Sequence, residues 1–516
     1  MTGDQETSPA ARPVLSAGIR TFTFHEDGAP VLEGLQLDFT PGSFTAILGP
    51  SGSGKSTLGR LLAGWLPPGG GGELSGFLEL AGTRLQFGGN GGDPRINPAE
   101  WGKQVGFVPQ DPAAVLSTVR STVAEELAFG LENAAVDRAT MVAAVQRTAA
   151  RLGLAELLDQ DPARLSGGQL RRLAIGCAII ADPPVLIMDE PFASLDSDGA
   201  AGLARLVRDL VNGGTAVVIL SQAIDPPLLE ARTWLVLAGG RVTASGTPAA
   251  LARTPGLLPP GILMSGRKAA RLTPAVPPGR AAGPAVELRA VSFGYRAATS
   301  GAGRRDPGRK PAGGFRHQVL QEITLAVHPG EIVAVTGPNG AGKSTLLRHL
   351  NGLLRPTAGQ VLVQGRDIAG TPAGQVAQAV GLLFQQPRDQ LFERTVLREV
   401  GFGLDRLFPA GEALERAHGA LASVGLAAAA HAHPAELPAS SQRLLALATV
   451  LARSPSVLAL DEPTVALDGC GRAVLDAAVH SAAGEGAAVV LVTHDLDYAR
   501  AAAHRMVRLD GGRLAS

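Results

Sequence analysis

Two kinds of apolar pattern alternate along this chain. Gly18–Phe24 and Ala285–Tyr295 alternate apolar with polar side chains, the period of a strand with one covered face. Phe44–Leu48, Ile332–Thr336, Val185–Met188 and Val457–Leu460 are instead near-continuous apolar runs, which predicts strands buried on both faces of a parallel sheet. The first two run straight into glycine-rich loops that open helices, and strand, loop, helix is the βα unit of such a sheet. A further helix is predicted after Leu165-Ser166-Gly167-Gly168-Gln169, where Leu170-Arg171-Arg172 leads into an apolar run. Helix starts of this kind bind anions through backbone N–H groups that lack intrahelical partners. No apolar run approaches the ~18 residues needed to cross a bilayer. The expectation is a soluble chain that can dock on a membrane partner.

Nearly all of this comes twice. Gly49-Pro50-Ser51-Gly52-Ser53-Gly54-Lys55-Ser56-Thr57 recurs as Gly337-Pro338-Asn339-Gly340-Ala341-Gly342-Lys343-Ser344-Thr345. The run from Val185 to Pro191 recurs from Val457 to Pro463, an offset of 272, and Ser194-Leu195-Asp196 recurs as Ala466-Leu467-Asp468 at the same offset. A duplicated α/β domain of roughly 230 residues is implied. Its expected boundaries are a polar tail over 1–12, a first domain over 13–250, a Pro/Gly/Ala-rich linker over 251–284 and a second domain over 285–516. An insertion at 297–314, carrying Arg304, Arg305, Arg309 and Lys310, reads as a flexible surface loop. It explains why the glycine loops are offset by 288 while Phe24 and Tyr295 are offset by only 271.

Composition narrows the function classes. The 516 residues carry 46 basic and 46 acidic side chains, so whole-chain charge favours neither nucleic acid nor an anionic membrane. A hydrophobic content of 45% with 18% charged residues is globular. Cys177 and Cys470 stand far apart and form no metal or disulfide pattern, as in a reducing cytosol. Met1 to Ala10 lacks the basic start and apolar core of a signal peptide.

Both glycine loops satisfy G-x-x-x-x-G-K-[ST], whose backbone N–H groups cradle phosphates. Lys55 or Lys343 meets the β/γ oxygens, and Ser56 or Ser344 coordinates Mg²⁺. Only five of the 46 basic residues are lysines and two occupy this position, where a compact charge is wanted. The strands at Val185 and Val457 end in acidic pairs beside these loops. Asp189 and Asp461 are expected to hold Mg²⁺ through water, and Glu190 and Glu462 to orient or deprotonate the attacking water.

Taken together, these motifs resemble the ATP-binding cassette (ABC) ATPases, and the resemblance covers nearly the whole chain, twice. It implies an α/β fold: two tandem P-loop NTPase domains, each with a mainly parallel core sheet, an antiparallel β subdomain and a helical subdomain. ATP and Mg²⁺ are the implied cofactors. The signature Ser166, Gly167, Gly168 and Gln169 would close over nucleotide held by the other cassette, since cassettes of this family pair head to tail. Gln110 and Gln385 match the glutamine loop that touches Mg²⁺ and the transport partner. Phe24 and Tyr295 match the aromatic that stacks on adenine, although strand-core packing explains either one alone. His494 matches the switch histidine at the γ-phosphate.

The copies disagree at two places. Ser221-Gln222 stands where Thr493-His494 stands in the second copy, and glutamine carries no positive charge and relays no proton. Leu437-Pro438-Ala439-Ser440-Ser441 replaces the signature, with its helix expected to survive because proline is tolerated in a first turn. Head-to-tail pairing within the chain puts both defects in one composite site and leaves the other complete. That implies one fast hydrolytic site and one slow or mainly ATP-holding site.

The stretch from Val380 to Phe392, with Thr395-Val396 and Glu399 to Phe402, resembles the ATPases of energy-coupling factor importers. The first copy echoes it in Gln110-Asp111-Pro112, Thr122-Val123 and Glu125 to Gly130. The resemblance implies uptake of a vitamin or transition-metal ion, with an integral membrane coupling subunit and a substrate-binding membrane subunit as partners. The chain would sit peripherally on the cytoplasmic face of the membrane. Two alternatives remain: a double-cassette sugar-importer ATPase, and a soluble ABC translation factor acting on the ribosome.

Overall fold

The computed structural model describes residues 12–24, 28–66, 72–90, 92–193, 195, 197–264, 283–296, 315–338 and 340–515. The tail before residue 12, the insertion at 297–314, most of the expected linker (265–282), Asn339, Ser194 and Asp196 lie outside the described residues. Two compact units, residues 1–265 and 266–516, divide the chain.

In the first unit, six strands form a sheet. Phe44–Leu48 lies between Ala216–Ser221 and Thr233–Ala238, all parallel. Val185–Asp189 and then Val105–Val108 extend it on one side in the same direction. Arg241–Gly246 closes the other edge antiparallel. Strand residues face two cores in turn. Ala46, Leu48, Leu186, Met188, Val217 and Ile219 pack under the helices Val123–Asn133, Arg138–Leu152 and Gly167–Ile179. Ile47, Val185, Ile187, Val218 and Leu220 pack on the helix Lys55–Leu62 and on a four-stranded antiparallel sheet. With both faces covered, these strands need apolar residues at nearly every position, which is why they read as near-continuous runs. The antiparallel sheet has one covered face and keeps the alternation, as Glu73–Leu80 does residue by residue.

The second unit repeats the plan. Ile332–Thr336 lies between Ala488–Val492 and Arg505–Asp510, with Val457–Asp461 and Val380–Leu383 beyond. The expected strands at 44–48 and 332–336 match the observed bounds. The acidic strands run one residue longer, through Asp189 and Asp461. The helix Ala439–Leu451 survives with Pro438 at its N-cap, as expected. Among the described residues, no helix is long and apolar enough to cross a membrane.

One expectation needs correction. Residues 251–264, read as the start of the linker, belong to the fold of the first unit. Leu251 and Ile262 are buried in its core, and Leu263–Met264 pairs as a parallel strand with Ala223–Ile224. Glycine and proline hid a segment whose few apolar residues are spaced to reach a core without periodic structure. Replacing Leu251 by alanine should therefore destabilise the first unit by about 3 kcal/mol, read as a lower midpoint in its thermal unfolding.

Candidate functional site

Parallel register puts the site together. Leu48 pairs with Ser221, and Asp189 with Leu220, so the glycine loop, Glu190 and Gln222 leave the sheet side by side at its carboxyl edge. In the second unit Val335 and Asp461 both pair with Val492, bringing Gly337, Glu462 and His494 to the equivalent edge. Open α/β sheets bind their ligands at such edges.

The glycine loops are built to expose backbone. Gly52, Gly54, Gly340 and Gly342 all have left-handed φ angles, between 74° and 99°. A Cβ on Gly49 would lie 2.3 Å from the Leu237 carbonyl oxygen, and one on Gly337 2.0 Å from that of Leu509. The lysines fold back along the loops. Lys55 Nζ donates to the Gly49 and Pro50 carbonyls at 2.7 and 2.9 Å, and Lys343 Nζ to those of Gly337 and Pro338 at 2.9 and 3.0 Å. Behind each loop, the Ser56 hydroxyl bonds Asp189 and the Ser344 hydroxyl bonds Asp461. Oδ1 of Asp189 and Oδ1 of Asp461 are buried without a hydrogen-bond partner. Burial raises the pKa of both aspartates against those hydroxyls. A hydroxyl beside an orphaned carboxylate oxygen fits a hard divalent cation.

Each following glutamate is held in a strained backbone. Glu190 has φ 51° and Glu462 φ 47°, left-handed values that cost an L-residue about 1 kcal/mol. Their partners then differ. Glu462 Oε2 accepts from His494 Nδ1 at 2.9 Å and from the His494 backbone N–H at 3.3 Å. Burial disfavours a charged ring there, but the hydrogen bond and negative charge of Glu462 outweigh it, and the pKa of His494 lies above its usual value. Glu190 instead accepts the Gln222 backbone N–H at 2.8 Å and the Ser221 hydroxyl at 3.2 Å. Burial, opposed chiefly by Lys55, pushes its carboxyl up to about 7.

The aromatics Phe24 and Tyr295 are half exposed, at 44% and 45%, so strand-core packing is not their role. Each meets a neighbouring phenylalanine edge-on, Phe22 at 5.3 Å and Phe293 at 5.0 Å between centroids. The Tyr295 hydroxyl reaches Thr345 Oγ1 at 3.4 Å, in the helix that the glycine loop opens. Gln110 and Gln385 follow the strands Val105–Val108 and Val380–Leu383.

Ser166 caps its helix in a reciprocal box: Gln169 N–H donates to Ser166 Oγ at 3.4 Å, and Ser166 N–H to Gln169 Oε1 at 2.9 Å. A Cβ on Gly167 or Gly168 would meet nothing within 4 Å. Nothing inside the first unit requires glycine there. Pro438, at the corresponding place, offers no capping side chain.

The ABC transporter family profile matches residues 32–193 and again 320–465. The chain belongs to the ABC transporter ATPases. It is an ATP-binding subunit with two cassettes in tandem. A Methanosarcina acetivorans protein provisionally described as an ABC transporter ATP-binding protein is 31% identical across 100% of this chain and 86% of its own length. A Streptomyces coelicolor protein of the same description is 34% identical, covering 95% of this chain and 91% of its own. Among solved structures, cbiO1 from Clostridium perfringens, described as part of the ABC transporter complex cbiONQ, is 26% identical over 45% of this chain and 88% of its own, with a TM-score of 0.39.

Two arginines that the sequence did not single out reach the backbone beside the site. Arg171 Nη1 donates to the Glu190 and Pro191 carbonyls at 2.6 and 3.0 Å, and Nη2 reaches the Gln110 carbonyl at 3.5 Å. Arg443 donates to the Phe384 carbonyl at 3.3 Å and to that of Gln385. Burial pulls Arg443 down to about 10, against Asp461 and Glu462. Their recurrence at the 272 offset was the available signal.

The Glu190 shift has a consequence for stability. The folded first unit keeps this proton to about pH 7, whereas an ordinary carboxyl releases it near 4.5, so stability falls as pH rises through that window. In nucleotide-free protein, Glu190→Gln should flatten the fall in unfolding midpoint between pH 5 and 8 and add at most about 3 kcal/mol at the alkaline end.

Proposed function

We propose that this ATPase powers a membrane importer of the energy-coupling factor type, taking up a vitamin or transition-metal ion. The observation that carries the reading is an exposed aromatic pair beside the second glutamine loop. Phe392 and Phe402 are 65% and 49% exposed, and their rings meet edge-on at 4.8 Å. The segment is firmly mounted. Gln390 donates to the Ala446 carbonyl and Thr449 Oγ1 at 3.2 and 2.9 Å, and Glu399 accepts the Phe392 and Glu393 N–H groups at 2.8 and 2.6 Å. A rigidly held aromatic patch in water marks a contact for an apolar partner, here the membrane coupling subunit, which itself joins a substrate-binding membrane subunit. The chain then works from the cytoplasmic face of the membrane.

Within that reading the cassettes pair head to tail in the chain. Ser166, Gly167, Gly168 and Gln169 close on ATP held by Lys343, while Pro438 faces ATP held by Lys55. Ser56 with Asp189, and Ser344 with Asp461, hold Mg²⁺ with help from Gln110 and Gln385. Phe24 and Tyr295 stack on adenine. Glu462, oriented by His494, activates water, and Glu190, lacking an imidazole, turns over slowly.

Hydrolysis assays and co-purification test this. Glu462→Gln should lower steady-state ATP hydrolysis about 10²-fold, with Glu190→Gln keeping most of the rate; the opposite pattern overturns the site assignment. Ser166→Arg should stop hydrolysis and leave nucleotide bound at the first glycine loop. Integral membrane proteins should co-purify with the chain and be lost from the double variant Phe392→Glu/Phe402→Glu. Sedimentation with ribosomes and no membrane partner would sink the importer reading.

A further inference from the structure

His494 is followed by a polar cluster that the site described above does not use. Asp495 spends both carboxylate oxygens. Oδ1 accepts the Tyr498 backbone N–H at 2.8 Å, capping the helix Leu496–Ala502, and Oδ2 pairs with Arg472 Nη2 at 3.0 Å. The Arg472 guanidinium also lies over the Tyr498 ring, 4.8 Å from its centroid. Arg472 belongs to the helix Gly469–Gly484, whose N-cap is Asp468. Beneath the pair, the Tyr498 hydroxyl meets the Asp476 carboxylate, and His480 Nε2 is buried without a hydrogen-bond partner. Polar atoms are rarely buried this way without a reason in function or fold.

The cluster exists in one cassette. At the 272 offset the first unit carries Ala200, Ala204, Arg208, Ala223 and Pro226 in place of Arg472, Asp476, His480, Asp495 and Tyr498. None of those alanines, nor the proline, can form the ion pair, the cap or the ring contact. The first unit holds the same stretch by other means: Leu263 N–H donates to the Gln222 carbonyl at 2.9 Å, and the Ser221 hydroxyl donates to the Ala223 carbonyl at 2.8 Å. So the cluster accompanies the histidine and is missing with it.

A switch histidine works only if its ring is aimed. The His494 ring and backbone both bind Glu462 Oε2, so a small rotation of the chain at residue 494 breaks two contacts at once. The Arg472–Asp495 pair clamps the next residue to a neighbouring helix. Both side chains are largely shielded, at 20% and 28% exposure, so removing one partner strands the other in poor solvent. We propose that Arg472 and Asp495 are positioning residues that hold His494 on Glu462, with Tyr498 and Asp476 as the floor of the clamp. The proposal rests on the reading that the second glycine loop serves the hydrolytic site.

The test uses the full chain. Arg472→Ala and Asp495→Asn should each lower kcat about ten-fold with KM for ATP within about two-fold. Arg472→Lys should recover most of the rate. Val479→Ala, an apolar truncation in the same helix, should lower the unfolding midpoint comparably and leave kcat alone. Added to His494→Ala, Arg472→Ala should cause no further loss. A kcat unmoved by Arg472→Ala, a parallel fall in Val479→Ala, or an undiminished effect on the His494→Ala background would overturn the proposal. Glu462→Gln in the same assay reports the site reading by itself. Should that reading fail, the imidazole NMR signal assigned to His494 still decides: Arg472→Ala must shift it, and an unshifted signal refutes the clamp.

Discussion

Parallel pairing, with both sheet faces covered, is the constraint on which the rest of each unit depends. It puts apolar side chains at nearly every position of 44–48, 185–188 and 216–220, and gathers the polar chemistry where the strands stop. Because the strands are parallel and in register, they stop together. Glycine loop, carboxylate pair and the Gln222 or His494 position are therefore neighbours although they stand far apart in sequence. The same edge is dry enough to raise the pKa of Asp189, Glu190 and Asp461 through burial.

Against this common frame the two cassettes differ by chemistry rather than by fold. Both glutamates take the same left-handed backbone, so strain alone does not separate them. Both carboxylates accept a backbone N–H, and the difference lies in the side chain that joins it: an imidazole in one unit, a hydroxyl in the other. An imidazole can share charge and proton with Glu462, whereas the donors on Glu190 can only hold it still. The supports behind the two switch segments diverge as well. The first is tied down by the strand Leu263–Met264, the second by the ion pair of Asp495 with Arg472.

Two arginines connect these parts, one half-buried and one buried. Arg171 and Arg443 leave the helices Gly167–Ile179 and Ala439–Leu451 and end on the carbonyls of Gln110 and of Phe384 and Gln385, Arg171 also reaching those that follow Asp189. A guanidinium suits the task because its planar fork satisfies several carbonyls from a single side chain.

Much of this was legible in the residues. Unbroken and alternating apolar runs separated the parallel from the antiparallel sheet, because burial on two faces or one dictates the pattern. The glycine loops and acidic strand ends stood out because phosphate and cation chemistry leaves few residue choices at fixed spacing. The sequence alone also determined that the copies are unequal, since Gln222 and Pro438 are visible without coordinates. Tertiary structure decided the rest. It placed 251–264 in the first core, where a few well-spaced apolar residues count for more than local propensity. It exposed Phe24 and Tyr295, buried Arg443, and joined Arg472 to Asp495 across 23 positions of chain. Such contacts depend on which helix faces which, and no local pattern encodes a partner that distance in sequence conceals.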